Sequence, residues 1–194
     1  MRTEIVMIAK NGTDQQIAQA ASISYGRKYT YEHDTEKIIA KLTSRKEMTP
    51  FEFCDVWYYI RCSMACHRQL LQYRTASRIT RSYRRTEPLE VENESLISLE
   101  NDPFVRELVS ESIDKYKDVY RKTNNREKAR MSLNMCCLTE MYWKIDLRNL
   151  IHFIQERSCL SAEEEIRNIA LCMKGDLELN FPITYKNIFG AVNV

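Results

Sequence analysis

Alternation and helical spacing divide this chain into short elements. "MRTEIVMIAKNG" reads as a short strand, and "TDQQIAQAASISYG" as a helix ending near Gly26. "TEKIIAKLTSRKE" places Ile38, Ile39 and Leu42 on one helical face, and the chain must leave that helix at Thr49-Pro50 because the residue before proline avoids the helical region. "FEFCDVWYYIRCS" alternates and is rich in aromatic and β-branched residues, which predicts a strand. "MACHRQLLQY" is helical, and the arginine-rich stretch after it is expected to be a loop, with irregular chain to about Glu100. Asp102-Pro103 is a cap followed by proline, opening a helix to about Lys122. Its expected inner stripe is Val105, Leu108, Ile113, Tyr116 and Val119. "NMCCLTEMYWKI" fits a strand, with a helix as the alternative. "DLRNLIHFIQER" is a helix capped by Asp146, and Ser161 with Glu164 makes a capping box for the next one. The expected class is α+β, with helices packed around a small antiparallel sheet in one domain spanning 1–194.

Composition narrows the function classes. With 194 residues, 44% hydrophobic and 29% charged, the chain has the profile of an ordinary soluble globule. It contains no run of eighteen apolar residues and no signal-peptide pattern, which predicts a cytoplasmic protein with no membrane partner. The seven cysteines fall inside apolar stretches without pairwise spacing and read as buried small hydrophobes. Four glycines leave no Gly-rich phosphate loop and no dinucleotide fingerprint. Cys62, Cys66 and His67 lack a second ligand pair, so two core cysteines one helical turn apart are expected there rather than a metal site.

One stretch departs from this even background. "HRQLLQYRTASRITRSYRR", residues 67–85, holds six arginines and no acid, in a chain balanced at 29 basic against 27 acidic residues. Arginine presents a planar fork that matches phosphate and carboxylate oxygens in pairs. Thr75, Ser77, Thr80 and Ser82 add hydroxyl donors between the arginines. Three readings remain open on residue type alone. The segment could bind phosphate, could be a solvated loop paired with the acids of "EPLEVENE", or could bind single-stranded nucleic acid with Tyr73 and Tyr83 stacking bases. A net charge of +2 makes nucleic acid an unfavoured partner for the whole surface.

The segment resembles the signature of the flavin-dependent thymidylate synthases. That signature runs Arg-His-Arg, two residues, Ser, one residue, Asn, two residues, Ser, one residue, Arg; here the frame holds Gln72-Tyr73-Arg74, Ser77, Ile79, Ser82 and Arg84, preceded by a matching Arg68-Gln69. Other stretches match the same family in order: "AASISYG", "TPFEF", "KARMSLN", "DLRNLIHFIQER", "SAEEEIR" and "FPITYKNI". The resemblance covers almost the whole chain.

The resemblance implies a homotetramer with active sites where subunits meet, using FAD, NADPH and methylenetetrahydrofolate to methylate C5 of dUMP. In that family reduced flavin supplies the hydride and no cysteine nucleophile is needed. Carried over residue by residue, Gln69, Thr80, Arg81, Ser82, Tyr83 and Arg84 would form the nucleotide site, with Arg130 on the phosphate. Ser24, Thr49, Gln72, Tyr73, Arg74, Asp146, Arg148 and His152 would line the flavin. Arg157 would lie beside the uracil and favour its N3-deprotonated form, since a fixed cation lowers the pKa of a neighbouring acid. An arginine complementing the end of its helix is the plain alternative for Arg157.

Several positions depart from the family pattern. Gln72 and Tyr73 stand for Arg-His, Ile79 for Asn, Thr80 for an acid, Tyr83 for Gly and Arg85 for Tyr; Phe53 stands for the His after Phe-Glu, and Glu47 or Met48 for the His before Thr-Pro. Tyr83 is the most consequential, because a large side chain must leave a loop expected to approach the ligand. Two further readings follow: a flavin-dependent enzyme acting on C5 of UMP or a cytidylate, and a non-catalytic nucleotide-binding paralogue.

Overall fold

The computed structural model describes residues 4–24, 26, 33–88 and 103–190. The expected Asp102 cap and the acids Glu90, Glu92 and Glu94 lie outside these residues. The elements in chain order are β1 (Glu4–Asn11), α1 (Asp14–Ser24), α2 (His33–Arg45), a 3-10 turn (Thr49–Phe53), β2 (Asp55–Ser63), α3 (Met64–Leu70) and β3 (Ala76–Thr80). Then come α4 (Pro103–Thr123), α5 (Arg126–Ala129), a second 3-10 turn (Arg130–Ser132), β4 (Leu138–Asp146), α6 (Leu147–Arg157), α7 (Glu164–Asn180) and α8 (Pro182–Phe189). The strands form one antiparallel sheet in the order β1-β2-β4-β3. The α+β expectation holds.

Strand periodicity gives the sheet two unlike faces. Val56, Tyr58, Ile60 and Cys62 of β2 and Met141, Trp143 and Ile145 of β4 are buried, and form one core with α1, α2, α6 and α7. On the other face Val6, Tyr59, Tyr142 and Ile79 stand opposite one another across all four strands. Val6, Tyr142 and Ile79 of that row are exposed, as is Trp57 beside it. Val109 and Ile113 of α4 build a second, smaller cluster with Cys137.

Two buried carboxylates tie distant segments together. Asp14, at the start of α1, accepts hydrogen bonds from the Ile183 and Thr184 amides at 2.9 and 3.1 Å and from the Thr184 hydroxyl at 2.6 Å. It thereby satisfies the free N–H groups opening α8, which no residue of α8 itself caps. Asp14→Ala should cost about 2 kcal/mol in urea unfolding, the upper range for a lost helix cap; a parental midpoint would contradict this role. Glu165 of α7 accepts from the Ser63 amide at 2.9 Å and the Ser63 hydroxyl at 2.5 Å, fixing the junction of β2 and α3. Gly12 holds φ +98 in the turn after β1, where an added Cβ would come within 2.3 Å of the Cys54 sulfur.

Several expectations need correction. The arginine segment is not all loop: Ala76–Thr80 is an edge strand paired with β4. Both of its faces carry polar residues, so the usual alternation is missing, and charge on an edge strand discourages further pairing. The strand expected from Phe51 begins at Asp55, because Pro50 starts a 3-10 turn. The inward stripe of α4 is Val109, Ser112, Ile113 and Tyr116, with Leu108 outside. Ser112 hid this register; its hydroxyl donates to the Ser132 carbonyl at 2.8 Å. Helix α7 has Glu163 at its cap with no side-chain hydrogen bond, so the Ser161–Glu164 box is absent. Cys159 and Cys172 are exposed, whereas Cys54, Cys62, Cys66 and Cys137 are buried. Cys172 falls outside because α7 turns Ile166, Ile169, Ala170, Met173 and Leu177 inward.

Candidate active site

Helix α6 explains where the functional side chains come together. Leu147, Leu150, Ile151 and Ile154 follow the i, i+3, i+4, i+7 spacing and are buried with Phe153. The same spacing turns Arg148, His152, Gln155 and Glu156 outward along the opposite stripe. Asp146 caps the helix through the Asn149 amide at 3.0 Å and also receives the Asn149 side chain at 2.7 Å. The helix starts directly from β4, where the Leu147 amide donates to the Cys54 carbonyl at 2.9 Å. Arg157 stands in the last turn.

Two cavities adjoin this outer stripe and share Asn149 and His152. The larger, about 650 Å³, is lined by Lys46, Met48 and Arg148 among others. The smaller, about 270 Å³, is lined by Gln72, Tyr73, Arg74, Thr75, Glu156 and Arg157. Five residues expected from the sequence, Gln72, Tyr73, Arg74, His152 and Arg157, therefore meet at one cavity. Arg148 faces the neighbouring one and pairs with Glu52, in the same 3-10 turn as Thr49.

Inside the smaller cavity the polar groups are linked. Arg157 Nε donates to the Tyr73 hydroxyl at 2.7 Å, and Arg157 Nη2 donates to Gln72 Oε1 at 3.2 Å. The guanidinium lies over the Tyr73 ring, 5.6 Å from its centre. The Tyr73 hydroxyl donates to Glu156 at 2.8 Å, and His152 Nε2 stands 3.5 Å from the other Glu156 oxygen. Burial pushes the Tyr73 phenol up, and the neighbouring Arg157 only partly offsets this, so the hydroxyl stays protonated. Glu156 and the roles of Phe153 and Asn149 were missed in the sequence, although the i+4 spacing of His152 and Glu156 marks a shared face.

The arginine segment is divided in its partners. Arg81 pairs with Glu140 at 2.7 Å, Arg84 with Glu127 at 3.8 Å, and Arg78 donates to the Leu71 carbonyl at 2.9 Å. Among the described residues, the acids that meet these arginines come from β4 and α5, and Glu87 pairs with Arg126. Among the described residues, the side chains of Arg68, Arg74, Arg85 and Arg130 meet no acid. The Tyr83 ring turns into the protein and its hydroxyl donates to the Leu138 carbonyl. Burial pushes that phenol up to about 12. The bulk replacing glycine thus leaves the ligand side. Thr80 meets His67 at 3.0 Å and Gln69 donates to Glu163 at 2.6 Å. Ser24 is exposed at the end of α1.

Ser82, Arg84 and Arg130 do not reach the Arg157 cavity. They follow β3, whereas Gln72 to Arg74 precede it, and a five-residue strand spans about 17 Å.

Burial pushes the Glu140 carboxyl up, but hydrogen bonds from Tyr59 and Arg81 and the Arg81 charge outweigh it and hold the group below its ordinary value. The native state therefore binds this proton less readily than the unfolded chain. The stability it contributes is full above the ordinary carboxylate range and is lost as pH falls through the lowered value. Glu140→Gln should be less stable at neutral pH and should lose less on acidification than the parent, read from urea midpoints across pH. Parallel curves would contradict the pairing.

A four-stranded antiparallel sheet with helices over one face makes this an α+β protein, and Arg74 and Arg157 line one cavity beside Glu156. The chain belongs to the family described as thymidylate synthase complementing protein, which it matches over residues 6–183. It is 31% identical to a flavin-dependent thymidylate synthase of Ehrlichia ruminantium (strain Gardel), the alignment covering 90% of this chain and 66% of the relative. It is 28% identical to one from Kosmotoga olearia, over 94% of this chain and 88% of that one. In fold it is similar to a UMP/dUMP methylase from Streptomyces cacaoi solved with 5-Br dUMP, at a TM-score of 0.83 and 18% identity, covering 97% and 95% of the two chains. The chain spans about two thirds of the length of the Ehrlichia relative. Among the described residues no helix is long and apolar enough to cross a membrane.

Proposed function

We propose that this protein is a cytoplasmic flavin-dependent thymidylate synthase, converting dUMP to dTMP with FAD, NADPH and methylenetetrahydrofolate. The observation that carries the reading is the Arg157 guanidinium, held at the rim of the cavity by Tyr73 and Gln72 in a member of this family. A fixed cation beside a uracil ring favours its N3-deprotonated form, and that form is a better nucleophile at C5. A protein that only bound nucleotides would not need the base deprotonated.

The residues suit FAD. The two cavities share Asn149 and His152 and carry Lys46, Arg148 and Arg74 besides, which fits a ligand with a diphosphate and a flat ring system. Arg74, Arg148 and His152 would hold it, with Ser24 and Thr49 at its edges. Bound there, FAD would supply the redox chemistry. Arg148 must exchange Glu52 for the ligand. Asp146 acts behind them by capping α6.

The nucleotide residues support assembly from more than one copy. Arg157 lines a cavity that Ser82, Arg84 and Arg130 do not line, and β3 lies in the chain between Gln72 to Arg74 at that cavity and Ser82. A second copy could bring its Ser82 and Arg130 to this copy's Arg157. The apolar row Val6, Tyr59, Tyr142 and Ile79 offers a face for such packing. The purified protein should be yellow and tetrameric by light scattering. A colourless monomer that takes up no added FAD would contradict the reading.

A further inference from the structure

We propose that Tyr73, assisted by Gln72, is the positioning residue for Arg157, holding its guanidinium so that the Nη1 edge is presented to the cavity in one orientation. The inference rests on the reading of Arg157 given above. An arginine in the last turn of a helix has a long, flexible stem and needs external restraint to present one geometry. Here Nε is committed to the Tyr73 hydroxyl at 2.7 Å and Nη2 to Gln72 at 3.2 Å. Among the described residues, no acceptor meets Nη1.

The restraint runs back into the core. The Tyr73 ring packs edge-on against Phe153, with ring centres 4.9 Å apart at 88°. Phe153 is fully buried and packs in turn against Trp143 at 5.3 Å. Arg157 is thereby referenced to the sheet through two aromatic rings.

The tyrosine also governs charge. Glu156 precedes Arg157, yet the Tyr73 hydroxyl stands between them, donating to Glu156 at 2.8 Å while accepting from Arg157. A carboxylate paired directly with a guanidinium takes two of its N–H groups at once. With a neutral phenol interposed, Arg157 keeps a free edge and more of its positive charge toward the cavity. The other ionisable groups around it are His152 and Arg74. Gln72 and Tyr73 are both departures from the family signature, and both contact the same guanidinium, so they act as one cradle.

Tyr73→Phe tests this, because it keeps the ring on Phe153 and removes both hydrogen bonds. In the purified protein labelled with ¹⁵N-arginine and free of nucleotide, exchange of the Arg157 Nε–H, assigned by its absence in Arg157→Lys, should accelerate roughly tenfold on loss of its acceptor. With dUMP, kcat should fall by about 10²-fold, as for a misplaced catalytic group, while KM changes far less. The pH at which turnover reaches half its maximum should move up, because a loosely held cation lowers the pKa of the bound base less. A merely structural tyrosine would leave that pH unchanged. Parental Nε–H exchange, or a parental pH profile, would overturn the proposal. If the parent enzyme turns over no pyrimidine nucleotide, the function proposed above fails, and the nucleotide-free exchange measurement still decides whether Tyr73 holds Arg157.

Discussion

Replacing Arg157 with alanine should lower kcat/KM by about 10²–10³-fold while leaving the fold intact, since a charge-assisted contact to a developing anion contributes a few kcal/mol to the transition state. The fold should survive because Arg157 is only half-buried and its partners, the Tyr73 hydroxyl and the Gln72 amide, face the cavity. The Tyr73 hydroxyl keeps Glu156 as an acceptor when Arg157 is gone. Steady-state kinetics, with circular dichroism as the control, measure the effect. Activity equal to the parent would show that Arg157 only complements the end of α6.

The second large effect concerns stability. Phe153 is fully buried between Trp143 and Tyr73. Phe153→Ala removes a large apolar side chain from the centre of the core and leaves a cavity that the sheet cannot close. The expected cost is about 3–5 kcal/mol, read from urea unfolding. The same variant should lose turnover even where it stays folded, since Tyr73 loses the ring it rests on. A cost below about 1 kcal/mol would mean that the site rests on other contacts.

The fold was readable wherever burial imposed a period. Helix α6 shows its inner face as Leu147, Leu150, Ile151 and Ile154, and β2 shows its own as Val56, Tyr58, Ile60 and Cys62. Reading failed where polar groups took buried or paired positions. Ser112 broke the stripe of α4 because its hydroxyl finds a carbonyl, and β3 went unseen because an edge strand carries Ser77, Arg78 and Thr80. The arginine segment could be recognised as unusual, but not how its charges are shared. Arg81 and Arg84 pair with Glu140 and Glu127, which lie 59 and 43 residues away along the chain. The Tyr73–Arg157 contact joins residues 84 apart and follows only from the fold. Tyr83 shows the same limit. Its bulk could be foreseen as displaced from the ligand, but its burial against the Leu138 carbonyl depends on β4 lying beside the loop.

Mass analysis of the nucleotide product tests most directly whether this protein methylates dUMP. The purified protein is supplied with FAD, NADPH and methylenetetrahydrofolate and given dUMP, UMP, dCMP or CMP in separate reactions. With dUMP, one methyl group should be gained at C5 to give dTMP, and this conversion should disappear in Arg157→Ala. Recovery of unmodified dUMP from a flavin-loaded protein, or efficient methylation of UMP or a cytidylate with dUMP untouched, would contradict it.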